Sequence, residues 1–195
     1  MVVRIPSERK KMVEFTISKQ SQKELLSLAR KAIAQYLKSY ESADFSVDDN
    51  SELTQPAAVF VTLTKHGQLR GCVGTTEAQY PLCEAVIRMA LSAALNDTRF
   101  PRLTLKELPE IKIEISALSP MRKVKDACEI IQNKHGVLIQ KEAESGLFLP
   151  QVWEHFDNKE DFLNELCSQK AGLPRESWKE PSTDIFVFTV FSFEE

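Results

Sequence analysis

The spacing of apolar residues predicts an amphipathic helix near the start of the chain. Apolar side chains recur three and four positions apart from Leu25 to Tyr40, which is the period of one helix face. Ser21 and Glu24 have the spacing of a capping box, so we predict that the helix begins at Ser21. Residues 41–56 are acidic and have no period, and we interpret them as an exposed loop.

The next part of the chain has the pattern of a hairpin, a helix and a strand. Residues 57–64 are β-branched and aromatic, and a turn at 65–68 leads into a second predicted strand at 69–73. An alanine-rich apolar helix is predicted from Pro81 to about Leu95. Strict alternation over residues 110–118 then predicts a half-buried strand.

The same order of patterns returns in the second half. After a short helix predicted at 126–133, a second hairpin is predicted at 137–149, with its turn around Ser145 and Gly146. A capped helix is predicted from about Asp157 to Gly172. Residues 185–193 are apolar on both faces, which predicts one interior strand.

This order favours an α+β fold with two lobes, a mostly antiparallel sheet and flanking helices. The repeated hairpin, helix and strand have two interpretations, an internal duplication or a coincidence, because residue identity between the halves is weak. We predict a lead-in segment at residues 1–18 and one domain at residues 19–195, whose lobes divide near residues 119–136. Two lobes that meet at their edges leave a cleft, where ligands commonly bind.

Composition and charge limit the location and the partners. The chain has 195 residues, of which 43% are hydrophobic and 27% charged, so it can build an ordinary core. Its net charge of −3 argues against general attraction to nucleic acid or to an anionic membrane. The four cysteines form no C-x-x-C pair, and no apolar run is long enough for a membrane span. We therefore expect a cytoplasmic protein with reduced thiols.

The stretch Leu69–Thr75, with the sequence LRGCVGT, is the main candidate site. Alternate residues of a strand share a face, so Arg70, Cys72 and Gly74 are predicted to project together. A cation near the thiol favours the nucleophilic thiolate, which makes Cys72 the candidate catalytic residue. Gly71 and Gly74 would let a ligand approach the backbone, and the N–H groups from Gly74 and Thr75 towards the helix at Pro81 would hold an anion. The structural alternative is a bulge with a core cysteine and a surface arginine.

Other segments add candidate ligand-binding residues. Asp97 and Arg99 either reach the same cleft, or Arg99 caps the preceding helix while Phe100 fills the core. Glu114 lies on the polar face of its strand, and His135 comes from the second half and could approach the thiol across the cleft. His66 is excluded as a base for the thiol, because the extended strand places it up to roughly 20 Å away. Cysteines and histidines have no metal-ligand spacing, so we predict no metal site.

Several motifs together resemble the AMME chromosomal-region protein family, also called AmmeMemoRadiSam system protein A. They are LRGCVGT, DTRFP, EIKIEISALSP, HGVLI, GLFLPQVW and KAGL, and they span about Leu25 to Phe193. The resemblance implies a two-lobed α+β protein whose signature residues gather at the cleft. Carried over by position, these are Leu69, Arg70, Gly71, Cys72, Gly74, Asp97, Arg99, Phe100, Pro101, His135, Gly136 and Pro150. One departure is Val73, where isoleucine is common in the family.

The resemblance also implies candidate partners, because family members are often encoded beside a Memo-like protein and a radical-SAM protein. We interpret the chain as an intracellular protein whose cleft at Cys72 and Arg70 binds a small anionic or nucleotide-like ligand. A non-catalytic adaptor is the alternative, and RNA binding is disfavoured by the acidic charge. The sequence leaves the cofactor, the reaction and the oligomeric state open.

Overall fold

The computed structural model describes residues 16–40 and 51–195, which form helices and two four-stranded antiparallel sheets. The helices are α1 (Lys19–Ser39), α2 (Ser51–Thr54), α3 (Leu82–Leu95) and α4 (Lys159–Glu165), and α4 continues as a π-helical segment, Leu166–Ala171. The strands are β1 (Ala58–Lys65), β2 (Gln68–Gly74), β3 (Ile111–Leu118), β4 (Arg122–Val124), β5 (Gly136–Lys141), β6 (Glu144–Phe148), β7 (Asp184–Phe188) and β8 (Val190–Glu194). Short 3₁₀ turns are Leu108–Glu110, Ala127–Glu129, Pro150–His155 and Arg175–Lys179. The prediction of an α+β fold is confirmed.

The first sheet has the strand order β2-β1-β3-β8 and packs against α1 and α3. Every second residue of β1 is fully buried beneath these helices: Val59, Val61 and Leu63. A Cβ atom built on Gly71 would lie 2.2 Å from the carbonyl oxygen of Ala93 in α3. Glycine is therefore required in β2 because the helix backbone lies directly on the strand. We call the opposite side of this sheet its outer face.

The second sheet has the order β4-β7-β5-β6 and packs against α4 and the π-helical segment. Its core includes Trp153, which stacks on Phe162 with the ring centroids 3.6 Å apart. A Cβ atom on Gly146 of β6 would lie 2.4 Å from the backbone nitrogen of Ala171. This sheet too has a glycine where a helix backbone lies on the second strand of a hairpin.

Hairpin, helix and strand therefore occur twice, with the same pairing. In each unit the strand after the helix pairs with the first hairpin strand, as β3 with β1 and β7 with β5. The matching cross-strand positions are Gly71–Leu63–Ile113 in the first unit and Gly146–Ile139–Ile185 in the second. From Leu63 to Gly71 is 71 − 63 = 8 positions, against 146 − 139 = 7 in the second unit. The extra residue belongs to a β-bulge in β2 that leaves Arg70 without a cross-strand partner.

The two sheets contact each other through a small apolar cluster. Ala58 and Leu118 from the first sheet pack with Phe188 from the second. Phe60 and Leu147, among others, pack against this cluster. Phe60 pairs with Gly74 and Ser116 on the outer face of the first sheet, so the sheets meet there on the side away from α1 and α3. The division into lobes near residues 119–136 stays a prediction.

The first helix begins earlier than its capping pattern predicted. The N-cap of α1 is Ser18, whose side chain accepts a hydrogen bond from the N–H of Ser21. The Ser21 hydroxyl instead donates to the carboxylate of Glu52 at 2.6 Å. The predicted start at Ser21 is wrong, because a residue distant in sequence binds that hydroxyl.

In the described part of the segment predicted as an exposed loop at residues 41–56, the exposure is confirmed except at Leu53, but the absence of helix is wrong. Residues Ser51–Thr54 form α2, and Leu53 is fully buried. Residues 41–50 lie outside the described residues. The acidic composition of the segment concealed one apolar anchor.

Two local predictions in the second half are corrected. The helix predicted at 126–133 is reduced to the turn Ala127–Glu129, which Asp126 caps by accepting from the N–H of Cys128. The turn of the second hairpin lies at residues 142–143, where Glu142 has a φ of 54°. Gly146 lies within β6, because close packing against the helical segment requires glycine there. The predicted helix cap near Asp157 is confirmed, with Asn158 as the N-cap.

The single strand predicted at 185–193 is two strands in different sheets. β7 is an interior strand of the second sheet, whereas β8 is an edge strand of the first. Thr189 separates them, and its N–H donates to the Ser119 hydroxyl at 2.9 Å. The run is mostly apolar because its two parts contribute to different cores: Ile185 and Val187 to that of the second sheet, and Phe193 to that of the first. Within the described ranges, no helix has both the length and the apolar character needed to cross a membrane.

Candidate functional site

Cys72 lies on the outer face of the first sheet in a row of polar side chains. It is opposite Thr62 of β1, which is opposite Glu114 of β3. Directly opposite residues of antiparallel strands project on the same side. The Thr62 hydroxyl donates to the Cys72 sulfur at 3.3 Å. We call Cys72, Thr62 and Glu114 the thiol row.

Arg70 does not belong to this row. Its Nε and Nη2 donate to the Glu107 carboxylate at 3.0 and 3.2 Å, and its Nη1 donates to the carbonyl of Pro101 at 2.9 Å. The guanidinium holds the pKa of Glu107 at about 2. The prediction that Arg70 projects together with Cys72 is wrong, because the bulge interrupts the alternation of β2.

Asp97 and Arg99 follow α3 and lie beside Cys72 at the edge of the sheet. Asp97 Oδ2 accepts from the N–H of Cys72 at 2.8 Å, and Arg99 Nη2 donates to the Cys72 carbonyl at 3.1 Å. The two side chains are also paired with each other at 2.7 Å. Of the two alternatives that the sequence left open, the structure therefore shows the one in which Asp97 and Arg99 lie beside Cys72.

Burial and charge differ sharply within this pair. The Asp97 side chain is 6% exposed, whereas that of Arg99 is 56% exposed. Hydrogen bonds from Arg99 and from the Cys72 backbone hold the pKa of Asp97 well below its usual range. The pKa of Arg99 is raised, first by Asp97 and to a smaller extent by Cys72. Arg99, which donates to the Cys72 carbonyl, is therefore the arginine that contacts this residue, a position that the sequence suggested for Arg70.

The glycines and Thr75 serve packing and backbone bonding. Gly71 faces α3, and a Cβ on Gly74 would lie 2.3 Å from the ring of Phe60. The Thr75 N–H donates to the carbonyl of Val59 at 2.9 Å. The close approach that we predicted for a ligand is made by a helix and by an aromatic ring. Among the N–H groups from Gly74 towards Pro81 that were predicted to hold an anion, that of Thr75 is engaged by a carbonyl.

His135 is part of the packing of the second unit. It is 2% exposed, and its Nδ1 accepts from the N–H of Ile131 at 3.1 Å. Its carbonyl accepts from the indole of Trp153 at 2.7 Å. Burial lowers the pKa of His135, with smaller contributions from Arg122 and Lys134. These contacts all lie in the second half, so they do not bring His135 to Cys72.

Thr62 and Glu107 were not singled out in the sequence. Thr62 reads as an ordinary β-branched strand residue, and Glu107 lies in a loop 37 positions from Arg70. The alternation of β1 carries a weak signal for Thr62, because it places that residue opposite the buried positions. No local pattern indicates Glu107.

The internal repeat supplies a comparison for the thiol row. Counting from the matching glycines and their partners, the positions of Cys72, Thr62 and Glu114 correspond to Leu147, Leu138 and Phe186 in the second unit. These three are opposite one another and are partly exposed. The fold thus accepts apolar residues at positions where the first unit carries a thiol, a hydroxyl and a carboxylate.

Comparison with known proteins identifies the family. The AMMECR1 family model matches residues 26–193. Protein TK0174 of Thermococcus kodakarensis is 39% identical over 182 residues, which cover 88% of each chain. Protein MK0488 of Methanopyrus kandleri is 42% identical over 185 residues, covering 88% of this chain and 86% of that protein.

A solved structure has the same fold. The crystal structure of uncharacterized protein PH0010 from Pyrococcus horikoshii matches with a TM-score of 0.80 and 36% sequence identity, covering 93% of this chain and 94% of that chain. The match extends over both sheets and thus over the repeat. The family model, the archaeal relatives and this structure agree with the motifs quoted above, and the chain belongs to the AMMECR1 family.

Proposed function

We propose that the outer face of the first sheet binds a small molecule beside the Cys72 thiol, in a cleft between the two sheets. The observation that carries the proposal is the contrast between the two units. The second unit has Leu147, Leu138 and Phe186 at the positions of the thiol row, so folding does not require polar residues there. A thiol row on a sheet face is therefore better explained by chemistry than by packing.

Two polar side chains contact Cys72 and support this proposal. The Thr62 hydroxyl donates to the sulfur at 3.3 Å. The Arg99 guanidinium donates to the carbonyl of the same residue at 3.1 Å and brings a positive charge to it. The thiolate would act as a nucleophile, forming a C–S bond as the leaving group departs with the electron pair of the broken bond.

The ligand class rests on Arg99. Arg70 is engaged by Glu107 and Pro101, so it does not support an anion site at the thiol. Arg99 is more than half exposed next to Cys72, and it is the feature that supports the anionic or nucleotide-like ligand that we expect. Its pairing with Asp97 weakens its field, but leaves one side of the guanidinium open to solvent.

Alkylation of the protein with two reagents tests the proposal. Iodoacetate is an anion and iodoacetamide is neutral, and mass spectrometry resolves the rate at each cysteine. Cys128 is the internal control, because it is exposed and Asp126 raises the pKa of its thiol. We expect Cys72 to react faster than Cys128, with a several-fold higher preference for iodoacetate.

Three variants separate the contributions. Arg99→Gln should remove the preference for iodoacetate at Cys72. Thr62→Val should slow both reagents at Cys72, and Thr62→Ser should restore the rate because it restores the hydroxyl. Equal or slower reaction of Cys72 relative to Cys128 with both reagents would refute a reactive thiol, and an unchanged reagent preference in Arg99→Gln would refute the anion site.

Action together with Memo-like and radical-SAM proteins is a further proposal, supported by the family resemblance alone. Co-purification with both proteins from cells that encode all three checks it. The adaptor alternative predicts a complex that survives Cys72→Ala, whereas a substrate-dependent complex should weaken in that variant.

A further inference from the structure

The exposed edge of the first sheet is closed by two side chains. β2 is an edge strand of this sheet, and β1 is its neighbour on the inner side. We propose that Asp97 and Arg99 together substitute for a neighbouring strand and prevent the β2 edge from pairing with the β2 edge of a second copy of this chain. This inference is independent of the function proposed for the thiol.

The hydrogen bonds have the pattern that a paired strand would make. In an antiparallel edge strand, every second residue turns its N–H and C=O away from the sheet. Cys72 is such a residue, and a neighbouring strand would offer it one acceptor and one donor. Asp97 Oδ2 provides the acceptor at 2.8 Å, and Arg99 Nη2 provides the donor at 3.1 Å.

The pair is fixed in place by its own bonds. Arg99 Nε donates to Asp97 Oδ1 at 2.9 Å, and the Arg99 N–H donates to the same oxygen at 3.2 Å. The carboxylate is almost fully buried. Both side chains come from the three-residue segment Asp97–Arg99 of the loop that follows α3.

The remaining edge is short, and the strand that it can pair with in solution is the same edge of a second copy of the chain. The bulge at Arg70 ends the regular pairing on one side, and bulges are a common protection of sheet edges. Between the bulge and the end of β2 lie Gly71, Cys72, Val73 and Gly74. The N–H and C=O of Cys72 are the groups that Asp97 and Arg99 bind. Two identical antiparallel edges can pair about a two-fold axis, because each offers the same donors and acceptors. Without Asp97 and Arg99, the β2 edge would therefore pair with the same edge of a second copy of this chain.

The test removes the side chains of Asp97 and Arg99 and measures self-association. The variant Asp97→Ala/Arg99→Ala is compared with wild type by light scattering coupled to size exclusion over a wide range of concentration. Glu84→Ala/Arg88→Ala is the matched control, because it deletes an exposed ion pair of the same charges on α3. We expect the Asp97/Arg99 variant to self-associate at least about tenfold more strongly than wild type, equivalent to ~1.4 kcal/mol. The control should not differ from wild type.

Amide exchange of Cys72 distinguishes edge pairing from general aggregation. The amide should be protected in wild type, exchange freely in the monomeric variant, and regain protection as the variant associates reversibly. Arg99→Ala is the second variant, since this exposed residue can be replaced with little risk to folding and leaves the Cys72 carbonyl open. A folded Asp97/Arg99 variant that associates no more than wild type overturns the proposal. If that variant does not fold, the same result for Arg99→Ala overturns it.

Discussion

At the scale of single residues, the Glu107 carboxylate joins two parts of the first unit through its hydrogen bonds. Its carboxylate accepts both bonds of the Arg70 fork and also the N–H and hydroxyl of Thr104. Lys65 lies 3.5 Å away and adds a second positive charge. The carboxylate therefore connects the bulge of β2 to the loop before β3, because it binds Arg70 of the bulge and Thr104 of the loop.

Glu107 should make stability depend on acidic pH. Its pKa is about 2 in the folded protein against an ordinary 4.5, so its contribution is complete above pH 4.5. Below that pH the unfolded chain takes up the proton first, and the contribution is lost as the pH falls toward 2. Glu107→Gln should lower the unfolding free energy by about 2 kcal/mol at neutral pH.

Urea unfolding of both proteins across this pH range measures the effect. The difference between wild type and Glu107→Gln should be constant above pH 4.5 and shrink toward pH 2. A difference that does not change with pH would show that the carboxylate charge is not what Arg70 and Thr104 stabilise.

Residue roles were predictable only where local pattern decides them. Alternation placed Cys72 on a polar face, and the motif DTRFP placed Asp97 and Arg99 beside it as one of two alternatives. The role of Arg70 was not predictable, because a single inserted residue in β2 changes which side a side chain takes. Its partner Glu107 comes from a distant loop, and sequence spacing carries no information about that contact.

At the scale of elements, the second strand of each hairpin lies beneath a helix backbone. Gly71 and Gly146 occupy equivalent positions, and a side chain at either would overlap backbone atoms. Helix backbones cannot move away as a flexible side chain can, so the two glycines set the distance between helix and sheet in both units.

Gly71→Ala should therefore destabilise the protein by about 3 kcal/mol, as overpacking against a fixed neighbour does. Gly67→Ala is the comparison, since its Cβ meets no atom within 4 Å but its φ of 77° disfavours alanine. That variant should lose about 1 kcal/mol. Thermal or urea unfolding checks both, and a loss at Gly71 no larger than at Gly67 would contradict the close contact.

Elements were predicted well where a single sequence pattern covers a single element. The first hairpin, α3 and β3 have such patterns, and their positions are confirmed. The run at 185–193 was interpreted as one strand because β7 and β8 follow each other closely and each contributes apolar residues to the core of its own sheet. The second hairpin turn was misplaced because Gly146 was interpreted as a turn residue, whereas it serves close packing.

At the scale of the whole molecule, the two units carry different spectroscopic probes. Both tryptophans, Trp153 and Trp178, lie in the second half, and the three tyrosines, Tyr36, Tyr40 and Tyr80, lie in the first. Phe188 extends from the second sheet into the cluster with Ala58 and Leu118 of the first. Unfolding of the two units can therefore be followed separately, and Phe188 joins them.

Phe188→Ala should cost about 3–5 kcal/mol and weaken the coupling between the units. In wild type, tryptophan fluorescence and far-ultraviolet circular dichroism should report one transition. In the variant, the fluorescence transition should separate from the circular dichroism transition. Coincident transitions in the variant would mean that other contacts are enough to couple the sheets.

The general architecture was predictable from the order of patterns, which indicated a repeated hairpin, helix and strand. How the two sheets meet was not predictable, since the contact depends on Ala58, Leu118 and Phe188, three ordinary apolar residues far apart in sequence. The family resemblance supplied the identity that pattern alone did not.

The position of β8 has a consequence for synthesis of the chain. Because Val190–Glu194 pairs with β3, the first sheet lacks this strand until residues 190–194 leave the ribosome. Throughout synthesis of the second unit, the β3 edge has no partner in this sheet, and such an edge invites wrong pairing. A nascent chain stalled before residue 190 would thus expose a binding surface for chaperones that the finished protein hides.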